Sequence, residues 1–135
     1  MKHLCCNKYI FILLFLCSSL FANFNDKSAI VYYGDKISYP MVGINDYIIV
    51  QPSQIDTNTH GFAVYKDKMY AYVSLGEIDT DIVEYKDVKK SWIVGENKVW
   101  KSKLLDLTNP EYQDFLFTHM IEPQMKRGFK NFFFD

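Results

Sequence analysis

The sequence predicts an α/β fold built around a parallel sheet, and the placement of its apolar runs is the main reason. Four short runs rich in β-branched and aromatic residues lie along the chain, at residues 29–33, 46–52, 69–75 and 129–134. Runs of this length and composition are typical of strands that are buried on both faces. Because longer connections separate the runs, the pattern indicates parallel strands joined by crossover segments.

One of these connections contains a clear helix. It begins at Asn109 and Pro110, because an asparagine side chain can cap free amides and the fixed backbone angle of proline suits a first helical position. Apolar residues then recur at helical spacing, and His119 lies among them on the predicted apolar face. We expect a kink or a restart at Pro123, and the helix to end at Gly128.

Two other connections have a different character. Residues 35–45 combine proline and glycine in a short span, which allows one or two helical turns at most. Residues 79–106 form a long polar excursion that carries Trp92 and Trp100. Within this excursion only residues 103–107 are predicted to be extended.

The number of strands is small for a closed architecture. About four strands are predicted, whereas a closed eight-stranded α/β barrel typically needs about 250 residues. A parallel strand at the end of the chain, next to open sheet edges, is physically unfavourable. We therefore expect a truncated or partial chain, and the alternative is a small open α/β sheet that is complete in itself.

The N-terminus has the features of a secretory signal peptide over residues 1–22, which leaves a domain at residues 23–135. Lysines and a short apolar run precede Ala22, a small residue that suits cleavage. The run is shorter than the roughly 20 residues that a transmembrane anchor needs. Lipidation at Cys17 is a less favoured alternative, because the preceding Leu16 is large. We therefore expect a secreted or periplasmic protein with no membrane association after cleavage.

Removal of the leader would change the chemistry of the chain. All three cysteines leave with it, so we expect no disulfide in the mature protein. The formal net charge of −1 becomes more negative, because Lys2 and Lys8 leave without an acidic residue to balance them. An acidic chain argues against nucleic acid as a partner. With 49% hydrophobic and 17% aromatic residues, the composition predicts a packed core and excludes a disordered protein.

Carboxylates follow three of the four predicted strands. Asp35 follows the first strand, Glu77 the third and Asp135 the last. The carboxyl ends of parallel strands meet at one edge of the sheet, where reactive groups collect. Because paired carboxyl groups cleave glycosidic bonds, the sequence indicates this chemistry at that edge.

Each carboxylate also has a structural explanation. An aspartate after a strand often makes a turn or caps the next helix, and Asp35 and Asp79 fit this role well. Glu77 and Asp135 fit it less well, because each follows a strongly apolar strand.

Aromatic residues near the strand ends are a second candidate feature, because flat aromatic faces suit sugar rings. One or two of them could line a saccharide groove, although most are expected in the core; the candidates are Tyr32, Tyr33, Tyr72, Trp92 and Trp100. Strand alternation directs either Tyr32 or Tyr33 inward, but not both.

Other chemistries find little support in the sequence. His60 and His119 are isolated and are interpreted as structural, so no metal site is predicted. Ser74 lacks the glycine-flanked elbow of serine hydrolases. No cofactor is predicted, because the chain contains neither a phosphate-binding glycine loop nor a dinucleotide fingerprint.

Four segments carry a resemblance to a known family. They are YYGD (32–35), DYIIVQP (46–52), YVSLGE (72–77) and the pair LDLTNPE (105–111) with GFKNFFFD (128–135). In this order the segments resemble the endo-α-1,4-polygalactosaminidase family, glycoside hydrolase family 114, over most of the chain after the leader. The first segment also resembles the hydrolase domain of periplasmic enzymes that process exopolysaccharides.

This resemblance implies the N-terminal part of a (β/α)8 TIM barrel that hydrolyses a polysaccharide containing α-1,4-linked galactosamine or a related amino sugar. Asp135 matches the family's catalytic aspartate at the end of the fourth strand, and the partner glutamate belongs to a later strand. Glu77 matches the family's third-strand glutamate and is expected to bind substrate, with Tyr33 and Asp35 lining the sugar subsite. The alternative is a carbohydrate-binding barrel that keeps these motifs without catalysis.

Overall fold

The computed structural model describes residues 27–135. The predicted signal peptide at residues 1–22, its cleavage near Ala22 and the three cysteines lie outside these residues. Along the described residues the strands are β1 (Ala29–Tyr32), β2 (Tyr47–Val50), β3 (Met69–Val73), β4 (Glu77–Asp79), β5 (Ile93–Asn97), β6 (Ser102–Leu105) and β7 (Asn131–Phe134). The α-helices are α1 (Tyr39–Ile44), α2 (His60–Tyr65), α3 (Pro110–Phe115) and α4 (Glu122–Lys126).

The central sheet has the order β1-β2-β3-β7, and every neighbouring pair is parallel. These four strands lie within the four apolar runs of the sequence, so the predicted α/β class and its strands are confirmed. The first crossover contains only the six-residue helix α1, as the short span between β1 and β2 requires.

Burial of the central sheet is one-sided. Alternate residues such as Ile48, Val50, Met69 and Ala71 are fully buried and pack against Val42 of α1 and Phe62 of α2. Their neighbours point to the other face, where Val31, Tyr33 and Phe133 are exposed. The prediction of strands buried on both faces is therefore wrong for residues 27–135, because within them helices cover one face only.

The excursion after β3 contains a second sheet that the sequence analysis did not predict. Its order is β4-β6-β5, with antiparallel pairing throughout. Only β6 corresponds to the expected extended piece, and it lies slightly earlier than residues 103–107. A second core forms where Ile78 and Leu105 of this sheet meet Val73 of β3 and Tyr112 and Phe115 of α3.

The helical connection to β7 has the predicted start and end. The Asn109 side chain accepts hydrogen bonds from the Glu111 and Tyr112 amides, and Pro110 occupies the first turn. Residues Leu116–Ile121 then widen into a π-helical turn, and α4 starts again with Pro123 in its first turn. Gly128 ends the helix with φ of 101°, a left-handed conformation that glycine adopts at low cost.

His119 is placed differently from the prediction. It is exposed and stacks on Phe115 with a ring-centroid distance of 4.5 Å, so it does not lie on a buried apolar face. The wider π-helical turn changes the angular spacing of the side chains after Phe115, which explains the difference.

No helix within residues 27–135 is long and apolar enough to cross a membrane.

Candidate active site

The carboxyl ends of the four parallel strands lie together at one edge of the central sheet. Tyr33 and Asp35 follow β1, Gln51 follows β2, Ser74 follows β3 and Asp135 follows β7. The sheet register fixes this arrangement, since Tyr32 pairs with Val50, Val50 with Ala71, and Val73 with Phe134. The predicted gathering of strand ends is therefore present.

The backbone of Asp135 is held firmly at this edge. Its amide donates to the Val73 carbonyl at 3.1 Å, and its carbonyl accepts from the Leu75 amide at 2.7 Å. The Leu75 carbonyl in turn accepts a hydrogen bond from the Tyr112 hydroxyl of α3 at 2.6 Å. Asp135 thus continues the β3–β7 pairing, and the buried Tyr112 of α3 fixes the segment opposite it.

Strand alternation decides where the Asp135 side chain points. Residues two positions apart on a strand share a face, so Asp135 lies on the same face as Phe133, which pairs with Tyr72. This is the open face, opposite the face packed against α1 and α2. The Tyr72 hydroxyl donates to Asp135 Oδ2 at 2.8 Å, which confirms the shared face.

Two aromatic rings pack against the Tyr72 ring. The Tyr33 ring meets the Tyr72 ring edge-on at a centroid distance of 5.8 Å, and the Phe133 ring stacks on it at 6.3 Å. Tyr33 is 62% exposed, so it presents an aromatic surface to solvent beside the carboxylate. The alternation question is also answered: Tyr33 is on the open face, while the Tyr32 hydroxyl donates to the Lys36 carbonyl.

The local environment keeps Tyr72 protonated. Burial, the hydrogen bond to Asp135 and the charge of that carboxylate raise the pKa of Tyr72 to about 12, with a smaller contribution from Tyr33. The Ser74 side chain acts in the opposite direction. Tyr72 is therefore a hydrogen-bond donor throughout the neutral pH range.

The two other predicted residues are placed apart from this group. Asp35 is an exposed residue in the turn after β1 and takes no part in the contacts among Tyr33, Tyr72 and Asp135. Glu77 begins β4, four residues after β3 ends, and its carboxylate accepts hydrogen bonds from Asn97 at 3.2 Å and from the Ser102 hydroxyl. Tyr33 and Asp135 thus both contact Tyr72. The Glu77 carboxylate is instead hydrogen-bonded within the antiparallel sheet.

Tyr72 is the residue of this group that sequence reasoning failed to connect with Asp135. The motif YVSLGE drew attention to its glutamate, and Tyr72 appeared only as one of several aromatic residues. The sequence contains one signal for Tyr72: it lies two residues after Tyr70 on an apolar strand, so the two side chains share a face. The pairing with Phe133 that brings Tyr72 to Asp135 is long-range, and no local pattern indicates it.

The chemistry available at this edge follows from these contacts. The Asp135 carboxylate has one oxygen bound by the Tyr72 phenol, and aromatic rings flank that phenol. Such a carboxylate can act as a nucleophile toward a polar ligand on the open face, or it can exchange a proton with that ligand. Within residues 27–135 no group of three histidine, cysteine, aspartate or glutamate side chains is placed to hold a metal ion.

Comparison with known proteins agrees with this geometry. Residues 49–135 match the sequence model of glycoside-hydrolase family GH114. No curated protein sequence gives a match.

Two solved structures have a similar fold. The chain is similar to the glycoside hydrolase domain of PelA from Pseudomonas aeruginosa, with 21% identity and a TM-score of 0.63, covering 80% of this chain and 44% of that one. It is also similar to Aspergillus fumigatus Ega3, solved in complex with galactosamine, with 14% identity and a TM-score of 0.65, covering 81% of this chain and 43% of that one. The chain therefore spans less than half the length of either structure.

These similarities confirm the predicted architecture, in which the four-stranded parallel sheet is part of a (β/α)8 barrel. Since the family match extends over more than half of the sequence, the chain belongs to glycoside-hydrolase family GH114.

Proposed function

We propose that this chain is part of a glycoside hydrolase that cleaves an amino-sugar polysaccharide such as α-1,4-polygalactosamine, with Asp135 as one catalytic carboxylate. The observation that carries the proposal is the place of Asp135: it follows the fourth parallel strand at the carboxyl edge and lies on the open face beside exposed Tyr33. In (β/α)8 barrels the reacting groups are found at this edge.

The substrate class is supported by two lines of reasoning. One similar structure is of Ega3 bound to galactosamine, which makes an amino sugar the first substrate to test. In addition, Asp135 and Asp35 place negative charge near the strand ends, and negative charge attracts a cationic amino sugar. Tyr33, Asp35 and Glu77 remain the residues proposed to contact the sugar.

The central experiment measures the release of reducing ends from α-1,4-polygalactosamine by the gene product that contains residues 1–135. The variant Asp135→Asn keeps the shape of the side chain but removes its charge and its basicity. We expect its kcat to fall by about 10²- to 10⁴-fold. Asp114→Asn, on the exposed surface of α3, is the matched control and should retain full activity. Unchanged turnover in Asp135→Asn would contradict the proposal.

Residues 1–135 alone are proposed to hydrolyse nothing. Glycoside hydrolysis uses two carboxyl groups on either side of the bond, and Asp135 is the only one of the predicted acids engaged at the open face in the described part of the chain. The same assay with the purified 135-residue chain checks this, and reducing-end release that Asp135→Asn abolishes would show it to be wrong.

A carbohydrate-binding barrel without catalysis is the second candidate. It is favoured by the exposed ring of Tyr33, because a flat aromatic surface can bind a sugar ring whether or not a bond is cleaved. The two candidates differ in one outcome: a gene product that binds galactosamine oligosaccharides but releases no reducing ends is the binding protein.

Secretion or periplasmic location is part of the proposal and rests on residues 1–22 of the sequence. N-terminal sequencing of the protein recovered from the periplasm or medium should find a start directly after Ala22. Recovery of the intact N-terminus from the cytoplasm would contradict it.

A further inference from the structure

The geometry points to Tyr72 as a positioning residue that fixes the orientation of the Asp135 carboxylate through its hydroxyl group. The inference rests on the proposed catalytic role of Asp135 and adds a second residue to the same site.

The first support is the contact itself. The Tyr72 hydroxyl lies 2.8 Å from Asp135 Oδ2, an ordinary length for a hydrogen bond to a carboxylate. The two residues belong to neighbouring parallel strands and share a face, because Tyr72 pairs with Phe133 and Asp135 follows two residues later. The bond therefore follows from the sheet register and does not depend on a loop conformation.

The second support is that neither partner is free to move. The Asp135 backbone is bonded on both sides, to the Val73 carbonyl and the Leu75 amide. The Tyr72 ring is packed between the Tyr33 ring at 5.8 Å and the Phe133 ring at 6.3 Å. A hydroxyl on a fixed ring sets the rotation of the carboxylate, since turning the carboxylate away would break the hydrogen bond.

This orientation has a chemical consequence. With Oδ2 bound by the phenol, Oδ1 is the oxygen that Asp135 presents to a sugar on the open face. Rigid placement of the reacting atom is the means by which positioning residues raise a reaction rate, and a misplacement of about 1 Å costs up to 10²-fold. The phenol remains a donor in the working pH range, since the pKa of Tyr72 is raised to about 12.

The kinetic test uses Tyr72→Phe in the gene product, assayed on α-1,4-polygalactosamine. This variant removes the hydroxyl and keeps the ring packing with Tyr33 and Phe133. We expect kcat to fall by about 10- to 100-fold while KM changes by less than about threefold, because the sugar still binds and only the reacting oxygen is misplaced. Tyr70→Phe removes a hydroxyl from the same strand and face, and should leave both constants unchanged.

A second measurement reports on the contact without any need for activity. In protein labelled at the tyrosine Cζ carbon, NMR follows the ionisation of each phenol, and Tyr72→Phe identifies the signal of Tyr72. In Asp135→Asn this signal should titrate at lower pH than in the wild type, because the carboxylate charge is lost. It should still titrate above its ordinary value, because burial is the largest cause of the shift.

The two experiments separate the possible failures. If Asp135→Asn abolishes turnover while Tyr72→Phe keeps the wild-type kcat, Asp135 is catalytic and Tyr72 does not position it. If the Tyr72 signal titrates identically in the wild type and in Asp135→Asn, the hydrogen bond is absent and the inference is overturned. If Asp135→Asn retains turnover, the proposed function fails, and the inference fails with it.

Discussion

The two faces of the central sheet have separate tasks, although they share the same four strands. On the covered face, Ile48, Val50, Met69 and Ala71 are completely buried against the helices. On the open face, three residues lie toward the carboxyl ends of their strands and are exposed or partly exposed: Tyr33, Tyr72 and Asp135. Adjacent residues of one strand therefore lie in turn in the core and on the face that carries the proposed site, because the side chains of a strand alternate with a period of two.

Strand β2 allows a test of the difference between the two faces, because Ile48 and Ile49 are adjacent and point to opposite faces. Ile48→Ala removes a fully buried side chain and should lower the free energy of unfolding by about 2–5 kcal/mol. Ile49→Ala makes the same chemical change on the partly exposed face and should cost clearly less. Urea unfolding of both variants checks this, and equal losses would contradict the one-sided core.

A second comparison concerns Glu77 and Asp135, which the sequence treats as equivalent acids after apolar strands. Glu77 accepts hydrogen bonds from Asn97 and Ser102 and thereby links β4 to both other strands of the antiparallel sheet. Asp135 is exposed, and its one side-chain partner among the described residues is Tyr72. The same local pattern thus gives a carboxylate that is hydrogen-bonded within the antiparallel sheet and one that still has an oxygen without a partner among the described residues.

The pair of variants Glu77→Gln and Asp135→Asn sharpens that difference. Glu77→Gln weakens two hydrogen bonds to a charged acceptor and should lower the free energy of unfolding by about 1–2 kcal/mol. Asp135→Asn should change it by no more than about 0.5 kcal/mol, since the side chain is exposed. Urea unfolding gives both values. A larger loss in Asp135→Asn than in Glu77→Gln would reverse the two roles.

A further expected effect is a pH dependence that arises on the open face. The pKa of Tyr72 is about 12 in the folded chain, whereas a phenol in an unfolded chain titrates near about 10. The folded state holds the proton more tightly, so this stabilisation is complete below about pH 10 and is lost as the pH rises toward about 12. In Tyr72→Phe the alkaline decrease in unfolding free energy should be smaller than in the wild type. An identical decrease in both proteins would show that Tyr72 is not perturbed.

Much of the fold could be predicted because its signals are local. The four apolar runs identified β1, β2, β3 and β7, and Asn109 and Gly128 marked the ends of the helical segment before β7. The parallel arrangement followed from the length of the connections, and it also placed Asp135 correctly at the carboxyl edge. These features depend on a few neighbouring residues and on general rules of chain geometry.

The remaining features depend on contacts between distant residues. Strand β4 has only three residues, and β5 has the sequence IVGEN, so neither has the sustained alternation of apolar and polar residues that identifies a strand from sequence. The hydrogen bond between Tyr72 and Asp135 joins residues 63 positions apart, and no local pattern specifies it. One-sided burial likewise depends on which elements pack on the sheet and not on the composition of its strands.

The central claim is that the parallel strands deliver Asp135 to the face where a sugar binds. A crystal structure of the gene product with a galactosamine oligosaccharide tests it most directly. We predict that an anomeric carbon or its glycosidic oxygen lies on the open face of the sheet, about 3–3.5 Å from an Asp135 side-chain oxygen, with the Tyr72 hydroxyl on the other oxygen. A sugar bound beyond reach of Asp135, or an Asp135 side chain turned toward the helices, would contradict the account.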